Sequence, residues 1–228
     1  MQVNQGTVVV YGDLACPWAS LAVHRFHRAR ASLGLEDSVV LDIRAFPLEL
    51  FNNRPTPKHV LDKEVAAIAA LEPDLGWGGW SEAEWRYPGT VLLALEAVQA
   101  AKSQTLRASE QLDLALRRAF FVGSRSIYLR SEILNTAGSC PDVDAGALAE
   151  ALDQGSARHA IMLQKGAAES DKIEGSPHFF LADGSDFHNP GIEMHWDKER
   201  KEPVIDTNEP EVVQQLVERA ANAAGRGG

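Results

Sequence analysis

Cysteine is scarce in this chain of 228 residues, which contains only Cys16 and Cys140. Two cysteines are too few for a disulfide-stabilised scaffold, and in a reducing compartment both are expected to be free thiols. Long apolar runs are missing too, because none approaches the ~18 residues that a membrane span needs. The first six residues contain neither a basic leader nor an apolar signal segment. We therefore expect a cytoplasmic protein with no membrane partner.

Positive charge is also in short supply, with 22 Lys and Arg against 32 Asp and Glu and a net charge of −10. This balance, together with the lack of a basic cluster, argues against a general nucleic-acid-binding surface. The hydrophobic fraction of 45% and the charged fraction of 24% are ordinary for a soluble globular protein. The length allows one enlarged domain or two small ones.

The first informative stretch is the joint between a predicted strand and a predicted helix at Cys16. Residues 7–11 form a β-branched apolar run, and from Trp18 onward the apolar residues follow a helical stripe. Pro17 then occupies the first helical position, where its missing N–H costs nothing. A sulfur at that joint faces unpaired helix N–H groups, which favour the thiolate. Cys16 is thus a candidate nucleophile of low pKa, and the alternative is a small buried hydrophobe.

The rest of the chain divides into three parts. Residues 39–46 predict a second strand and a βαβ unit, and the pattern then stays helical to about residue 172. Strands return at residues 178–181 and within 185–196, residues 198–208 resemble a charged loop, and a last helix begins near residue 210. We expect an α/β fold with a mixed sheet, βαβ followed by ββα, and an inserted all-helical domain. The predicted domains are residues 1–52 with 173–228, and residues 53–172.

The chain resembles the DsbA-like thioredoxin-fold oxidoreductases with a helical insertion. That branch includes FrnE-type proteins and neighbours 2-hydroxychromene-2-carboxylate isomerases and kappa-class glutathione transferases. The resemblance depends on three motifs in order, which are Asp13-Leu-Ala-Cys-Pro-Trp18, Gly175-Ser-Pro-His-Phe179 and His188-Asn-Pro-Gly191. It implies that Pro177 follows a cis peptide bond and lies against Cys16. Because proline lacks an N–H, the backbone of Ser176 would be left to pair with an extended substrate. The alternative for Pro177 is an ordinary strand start.

One position departs from that family. The family's redox motif is Cys-x-x-Cys, but position 19 is alanine, so the second thiol of the motif is absent. A mixed disulfide on Cys16 would then need an external thiol such as glutathione, a thiol on the substrate, or Cys140. We expect Cys140 not to serve, because its loop would have to reach the mouth of the site.

Two neighbours of these motifs are further candidates. Trp18 is expected to form part of a substrate-facing wall, or else to be a packing aromatic. His178, which follows Pro177, would stabilise a thiolate electrostatically, or else is a strand-surface histidine. The predicted site therefore comprises catalytic Cys16 with, at the substrate-binding positions, Pro17, Trp18, Ala19, Ser176, Pro177 and His178. We expect no metal site and no tightly bound cofactor.

Three functions fit these residues. The first is a thiol-disulfide oxidoreductase with a single active-site cysteine, acting on a protein or small-molecule thiol or disulfide. The second is a glutathione-dependent transferase or isomerase, in which the site stabilises the thiolate of bound glutathione. The third is a non-enzymatic peptide-binding or chaperone module. The sequence leaves open whether the protein is a monomer or a homodimer.

Overall fold

The computed structural model describes residues 2–170 and 173–225, with side chains described to residue 222. The strands in this part of the chain are β1 (Thr7–Gly12), β2 (Val40–Ala45), β3 (His178–Phe180), β4 (Asp186–His188), β5 (Ile192–Asp197) and β6 (Glu202–Asn208). The helices are α1 (Pro17–Ser32), α2 (Leu48–Phe51), α3 (Lys58–Leu71), α4 (Leu92–Lys102), α5 (Leu106–Phe121), α6 (Arg130–Ala137), α7 (Ala145–Gln154), α8 (Arg158–Ser170) and α9 (Glu211–Gly225). Short 3-10 turns occupy Pro73–Leu75 and Glu84–Arg86.

Strand β1 lies inside a four-stranded sheet with the order β2-β1-β3-β4. It pairs in parallel with β2 and antiparallel with β3, and β3 pairs antiparallel with β4. Helix α1 connects β1 to β2, and the C-terminal helix α9 packs against α1. This mixed sheet, with a βαβ half and a ββα half, is the arrangement that the sequence predicted.

Helices α2 to α8 follow β2 and precede β3 in the chain. Three of them, α4, α5 and α8, cover the outer edge of β2. An edge strand exposes unpaired backbone groups, and here side chains of the helices satisfy several of them. Ala45 N donates to Gln164 Oε1 at 2.7 Å, Gln99 Nε2 donates to Ile43 O at 3.1 Å, and Leu41 N donates to Glu110. Within the described residues, no helix has both the length and the apolar composition needed to cross a membrane.

The C-terminal region contains one feature that the sequence prediction missed. Residues 198–208 were expected to be a charged loop, but Glu202–Asn208 forms β6 and pairs antiparallel with β5 in a second, two-stranded sheet. The loop prediction was therefore wrong for these seven residues. The strand returning to the main sheet is β4 alone, and the predicted strand region 185–196 is divided between the two sheets.

Candidate active site

Cys16 is the N-cap residue of α1 and lies at the end of a short loop that follows β1. Pro17 occupies the first helical position, as predicted, and the Cys16 backbone is extended with φ −79° and ψ 116°. Sγ accepts a long hydrogen bond from Ala19 N at 3.5 Å and donates to Ser176 O at 3.2 Å. The sulfur therefore lies between the start of the helix and the loop before β3.

The loop before β3 is held against the cysteine loop by backbone and side-chain contacts. The Ser176–Pro177 peptide bond is cis. Ser176 Oγ accepts a hydrogen bond from Asp13 N at 2.9 Å, and the antiparallel pairing of β1 with β3 fixes the two loops side by side. The structure thus brings Cys16, Ser176 and Pro177 together, although Cys16 and Ser176 are 160 positions apart in the sequence.

Asp13 and Arg117 hold the cysteine loop in place through hydrogen bonds, and no role was predicted for either from the sequence. Asp13 Oδ1 accepts from Ala15 N at 2.7 Å and Oδ2 accepts from Leu48 N at 2.9 Å. Arg117 Nη1 donates to Asp13 O at 3.0 Å and to Ser20 Oγ at 2.8 Å. Burial raises the pKa of the Asp13 carboxyl to about 6, although the backbone N–H groups of Ala15 and Leu48 oppose that rise.

The guanidinium of Arg117 is balanced by a carboxylate of the same helix. Asp113 accepts two hydrogen bonds from it, at 2.7 and 3.0 Å, and both side chains are at most 3% exposed. The only hint of this pair in the sequence is an Asp and an Arg four positions apart on α5. That spacing alone is far more often a surface ion pair than a buried one.

The ionisation of Cys16 differs from the sequence expectation. A low pKa was predicted from the helix N-terminus, but burial raises the pKa of the Cys16 thiol to about 12. The Glu64 carboxylate raises it further, and the hydrogen bond from Ala19 N opposes these effects without outweighing them. The prediction failed because Cys16 is only 5% exposed and its sulfur loses the hydration that stabilises a thiolate. In this state of the site Cys16 is a neutral thiol.

A cleft of about 340 Å³ opens beside the sulfur. Its wall includes Trp18, and Trp18 Nε1 donates to Glu64 Oε1 of α3 at 3.1 Å. Glu64 and Arg54 are the charged residues among those that line it. Neither residue was predicted from the sequence, because nothing in the local pattern of α3 or of the loop before it indicates that they lie near Cys16. The remaining lining residues are Cys16, Pro17, Leu48, Asn52, Pro55, Thr56, Pro57, Val60 and Ser176.

Ala19 and His178 lie close to these residues in sequence but have different surroundings. Ala19 is fully buried in the first turn of α1, and its backbone N–H faces the sulfur. The His178 ring is also buried, with Nδ1 accepting from Glu174 N at 3.1 Å and Nε2 at 2.9 Å from Asp186 Oδ1. Glu174 lies in the loop before β3 and Asp186 lies in β4, and these two partners occupy both ring nitrogens. The contacts of His178 therefore give no support to its proposed role in stabilising a thiolate at Cys16.

Cys140 lies in the turn between α6 and α7, where its thiol is buried and contacts Thr136 O at 3.5 Å and Gln111 O at 3.7 Å. It belongs to a different apolar cluster from Cys16, and both cysteines are free. Among the described residues, no group of three or more His, Cys, Asp or Glu side chains is arranged to hold a metal ion.

The position of Cys16 at the start of α1, beside the cis Ser176–Pro177 bond, is consistent with the protein family that the sequence matches. The family described as the DSBA-like thioredoxin domain matches residues 7–207. The chain belongs to this family. No curated protein sequence matches this DsbA-like chain.

Several solved structures share the fold of this DsbA-like protein. A probable DsbA oxidoreductase from Streptomyces coelicolor is 20% identical, with a TM-score of 0.63 over 95% of this chain and 90% of that one. The cytosolic disulfide reductase DsbM from Pseudomonas aeruginosa, in a structure with GSH, is 17% identical, with a TM-score of 0.64 over 95% and 99%. A 2-hydroxychromene-2-carboxylate isomerase is 17% identical, with a TM-score of 0.54 over 79% and 87%. At these identities the similarity shows the shared thioredoxin-like fold.

Proposed function

We propose that this protein is a thiol-disulfide oxidoreductase that works with one reactive cysteine, Cys16. The observation that carries the proposal is the position of the Cys16 sulfur, at the start of α1, on the wall of an open cleft, and 3.2 Å from Ser176 O. Position 19, where a resolving thiol would stand, is a buried alanine. The family match supports thiol-disulfide exchange as the reaction. Because the site has a single thiol, the mixed disulfide must be resolved by a thiol from outside the site.

The reaction proceeds in two exchanges. The Cys16 sulfur attacks one sulfur of a substrate disulfide, so that a Cys16–S–S–R bond forms, the substrate S–S bond breaks, and R–S leaves with the proton that Cys16 gives up. An external thiol then attacks the mixed disulfide, which regenerates the Cys16 thiol and releases a new disulfide. Sulfur oxidation states balance in each step.

The loop of Ser176 and Pro177 orients the substrate in this scheme. Entry of a substrate displaces the Cys16 thiol from Ser176 O, and the backbone of Ser176 is then free to pair with an extended segment. Pro17 and Trp18 line the same cleft and supply apolar surface for the substrate. A small thiol such as glutathione is a suitable second reactant, because GSH accompanies the DsbM structure. That neighbour is described as cytosolic, which supports a cytoplasmic location for this protein as well.

The test is acid trapping after reaction with a small disulfide. We expect mass spectrometry to find one adduct on Cys16, lost in Cys16→Ser and retained in the matched Cys140→Ser variant. Addition of glutathione should remove the adduct. If Cys16 remains unmodified at every disulfide concentration, the proposed function is wrong.

A second function is favoured by the neutral state of Cys16. A thiol that keeps its proton can donate a hydrogen bond, as Cys16 does to Ser176 O, and such a donor would stabilise the thiolate of bound glutathione instead of attacking a disulfide. This is the transferase or isomerase alternative, and the fold shared with the isomerase is compatible with it. Calorimetric titration separates the two. Binding of glutathione at millimolar concentration without any Cys16 adduct would favour the second function, whereas a disulfide adduct would favour the first.

A further inference from the structure

The cleft beside Cys16 is lined by one acidic and one basic side chain, and their environments differ. Glu64 lies on α3, is half-buried, and is fixed by the hydrogen bond from Trp18 Nε1. Arg54 is exposed at the edge of the cleft, directly after Asn53, whose φ is 54°.

This difference decides which charge acts more strongly inside the cleft. A charge interacts more strongly with a neighbour when both are partly removed from water, whereas water and salt screen an exposed charge. Glu64 is therefore expected to dominate over Arg54 near the sulfur. The charges acting on Cys16 support this, because the carboxylates of Glu64 and Asp13 both raise the pKa of its thiol.

A ligand that carries a cation into the cleft would meet this negative field. Its ammonium or guanidinium group would be attracted to Glu64, and by offsetting that carboxylate it would also remove part of the penalty on forming the Cys16 thiolate. An anionic ligand would have the opposite effect on both binding and ionisation. The net charge of −10 on the whole chain acts in the same direction during the approach of the ligand.

We propose that Glu64 is a specificity-determining residue that selects substrates with a positively charged group close to the reacting disulfide. This inference rests on the proposed function, because it concerns the disulfide that Cys16 attacks. The substrate class it names is that of amine-bearing small disulfides and of disulfides flanked by Lys or Arg in peptides. The chemical step is the exchange given above, and the cation only assists it.

The experiment compares three small disulfides that differ mainly in charge at pH 7: cystamine (cationic), bis(2-hydroxyethyl) disulfide (neutral) and 3,3′-dithiodipropionate (anionic). Formation of the Cys16 adduct is timed by acid quench and mass spectrometry in a Cys140→Ser background. Each rate is divided by the rate of the same disulfide with N-acetylcysteinamide, a neutral free thiol, which removes the intrinsic reactivity of the disulfide. We expect cystamine to react about ten-fold faster than dithiodipropionate on this normalised scale, with the neutral disulfide between them.

Glu64→Gln is the test variant, because the amide oxygen still accepts from Trp18 Nε1 while the charge is removed. We expect the normalised ratio to fall to about two-fold or less in this variant. Asp62→Asn is the matched control, since Asp62 is another carboxylate of α3 and is not among the residues that line the cleft. It should keep the full ratio. Higher ionic strength should lower the ratio in the unsubstituted protein, which tests the electrostatic cause without any mutation.

The outcomes distinguish a failure of the proposed role of Glu64 from a failure of the proposed oxidoreductase function. Equal normalised rates for the three disulfides, a preference for the anion, or a cation preference that persists in Glu64→Gln would each overturn the role of Glu64 and leave the oxidoreductase proposal standing. Failure of all three disulfides to modify Cys16 would reject the proposed function and the inference together.

Discussion

At the scale of single residues, the ionisation of Cys16 is the property that most limits the chemistry. A helix N-terminus lowers the pKa of a cysteine when the sulfur stays hydrated or has a cationic neighbour. The Cys16 sulfur is buried instead, and the nearby carboxylate of Glu64 acts against the thiolate. The Cys16 thiol is thus protonated at rest, and in the proposed reaction its ionisation accompanies the entry of substrate.

This leads to a prediction for alkylation. Because its pKa is raised, Cys16 stays protonated to higher pH, and the rate of reaction with iodoacetamide should still be rising at about pH 10, above the ordinary cysteine pKa of ~8.5. The measurement uses a Cys140→Ser background and a pH series followed by peptide mass spectrometry. Glu64→Gln should shift the profile to lower pH. A rate that reaches its plateau below pH 8 would contradict the buried, neutral thiol.

A second prediction concerns Ala19. Replacing Ala19 by Cys places a thiol one helical turn from Cys16 and completes the Cys-x-x-Cys spacing. We expect oxidation to form a disulfide between positions 16 and 19, so that mixed disulfides no longer accumulate, because intramolecular attack is faster than attack by an external thiol. Intact mass should show the loss of two hydrogens, about 2 Da, in place of an adduct. Accumulation of an adduct as in the unsubstituted protein would show that the two sulfurs cannot meet.

The sequence predicted some of these residues and missed others for a physical reason. Cys16, Pro17 and the Ser176–Pro177 pair each stand at a joint between elements, where residue type is tied to backbone geometry. Glu64 and Arg117 lie within ordinary helical patterns, and their importance arises only when α3 and α5 pack against the cysteine loop. The pKa of Cys16 was predicted wrongly because burial is a tertiary property.

At the scale of secondary-structure elements, α5 supports the candidate active site through the buried pair of Asp113 and Arg117. The guanidinium joins α5 to the loop of Asp13 and to Ser20 of α1, so a helix that follows β2 in the chain positions the start of α1. Removing one partner of such a pair leaves an uncompensated charge in a nearly water-free environment.

We therefore predict that Arg117→Met lowers the free energy of unfolding by about 3–5 kcal/mol. The matched control is Arg86→Met, since Arg86 and Glu82 have the same spacing of four but are 39% and 46% exposed, and its effect should stay within about 0.5 kcal/mol. Urea unfolding measures both. The double variant Asp113→Leu with Arg117→Met should recover part of the loss, because it removes the stranded carboxylate. An Arg117→Met variant as stable as Arg86→Met would contradict a structural role for this pair.

The strands show where local patterns stop being informative. β1 is predictable because its β-branched apolar run is almost fully buried, and β2 because its buried apolar residues alternate with partly exposed ones. β6 is not, because it lies beside a charged turn, contains Pro203, and only half-buries its side chains against β5. A two-stranded ribbon gives a weak apolar signal in the sequence, so residues 202–208 resemble a loop until the pairing partner is known.

At the scale of the whole molecule, the division into a thioredoxin-like domain and a helical insertion domain stays a prediction. The packing between the two parts indicates that they depend on each other for stability. One apolar cluster contains Leu41 and Ile43 of β2 together with Leu95, Leu112 and Leu116 of the helices. The backbone groups at the edge of β2 are satisfied by Glu110, Gln164 and Gln99. The helices thus satisfy the backbone groups of β2, and β2 covers apolar side chains of the helices.

The last prediction is that residues 53–172, expressed alone, retain helices but do not unfold cooperatively. Without β2, helices α4 and α5 expose the apolar face that the sheet covers, and Arg117 and Asp113 lose the burial in which they pair. Such a segment keeps secondary structure while it loses specific packing. Circular dichroism should show a helical spectrum with a broad thermal transition, and a dye that binds exposed apolar surface should bind strongly. A sharp transition without dye binding would show that the helical segment is an independent domain, and that the contacts with β2 join two units that fold separately.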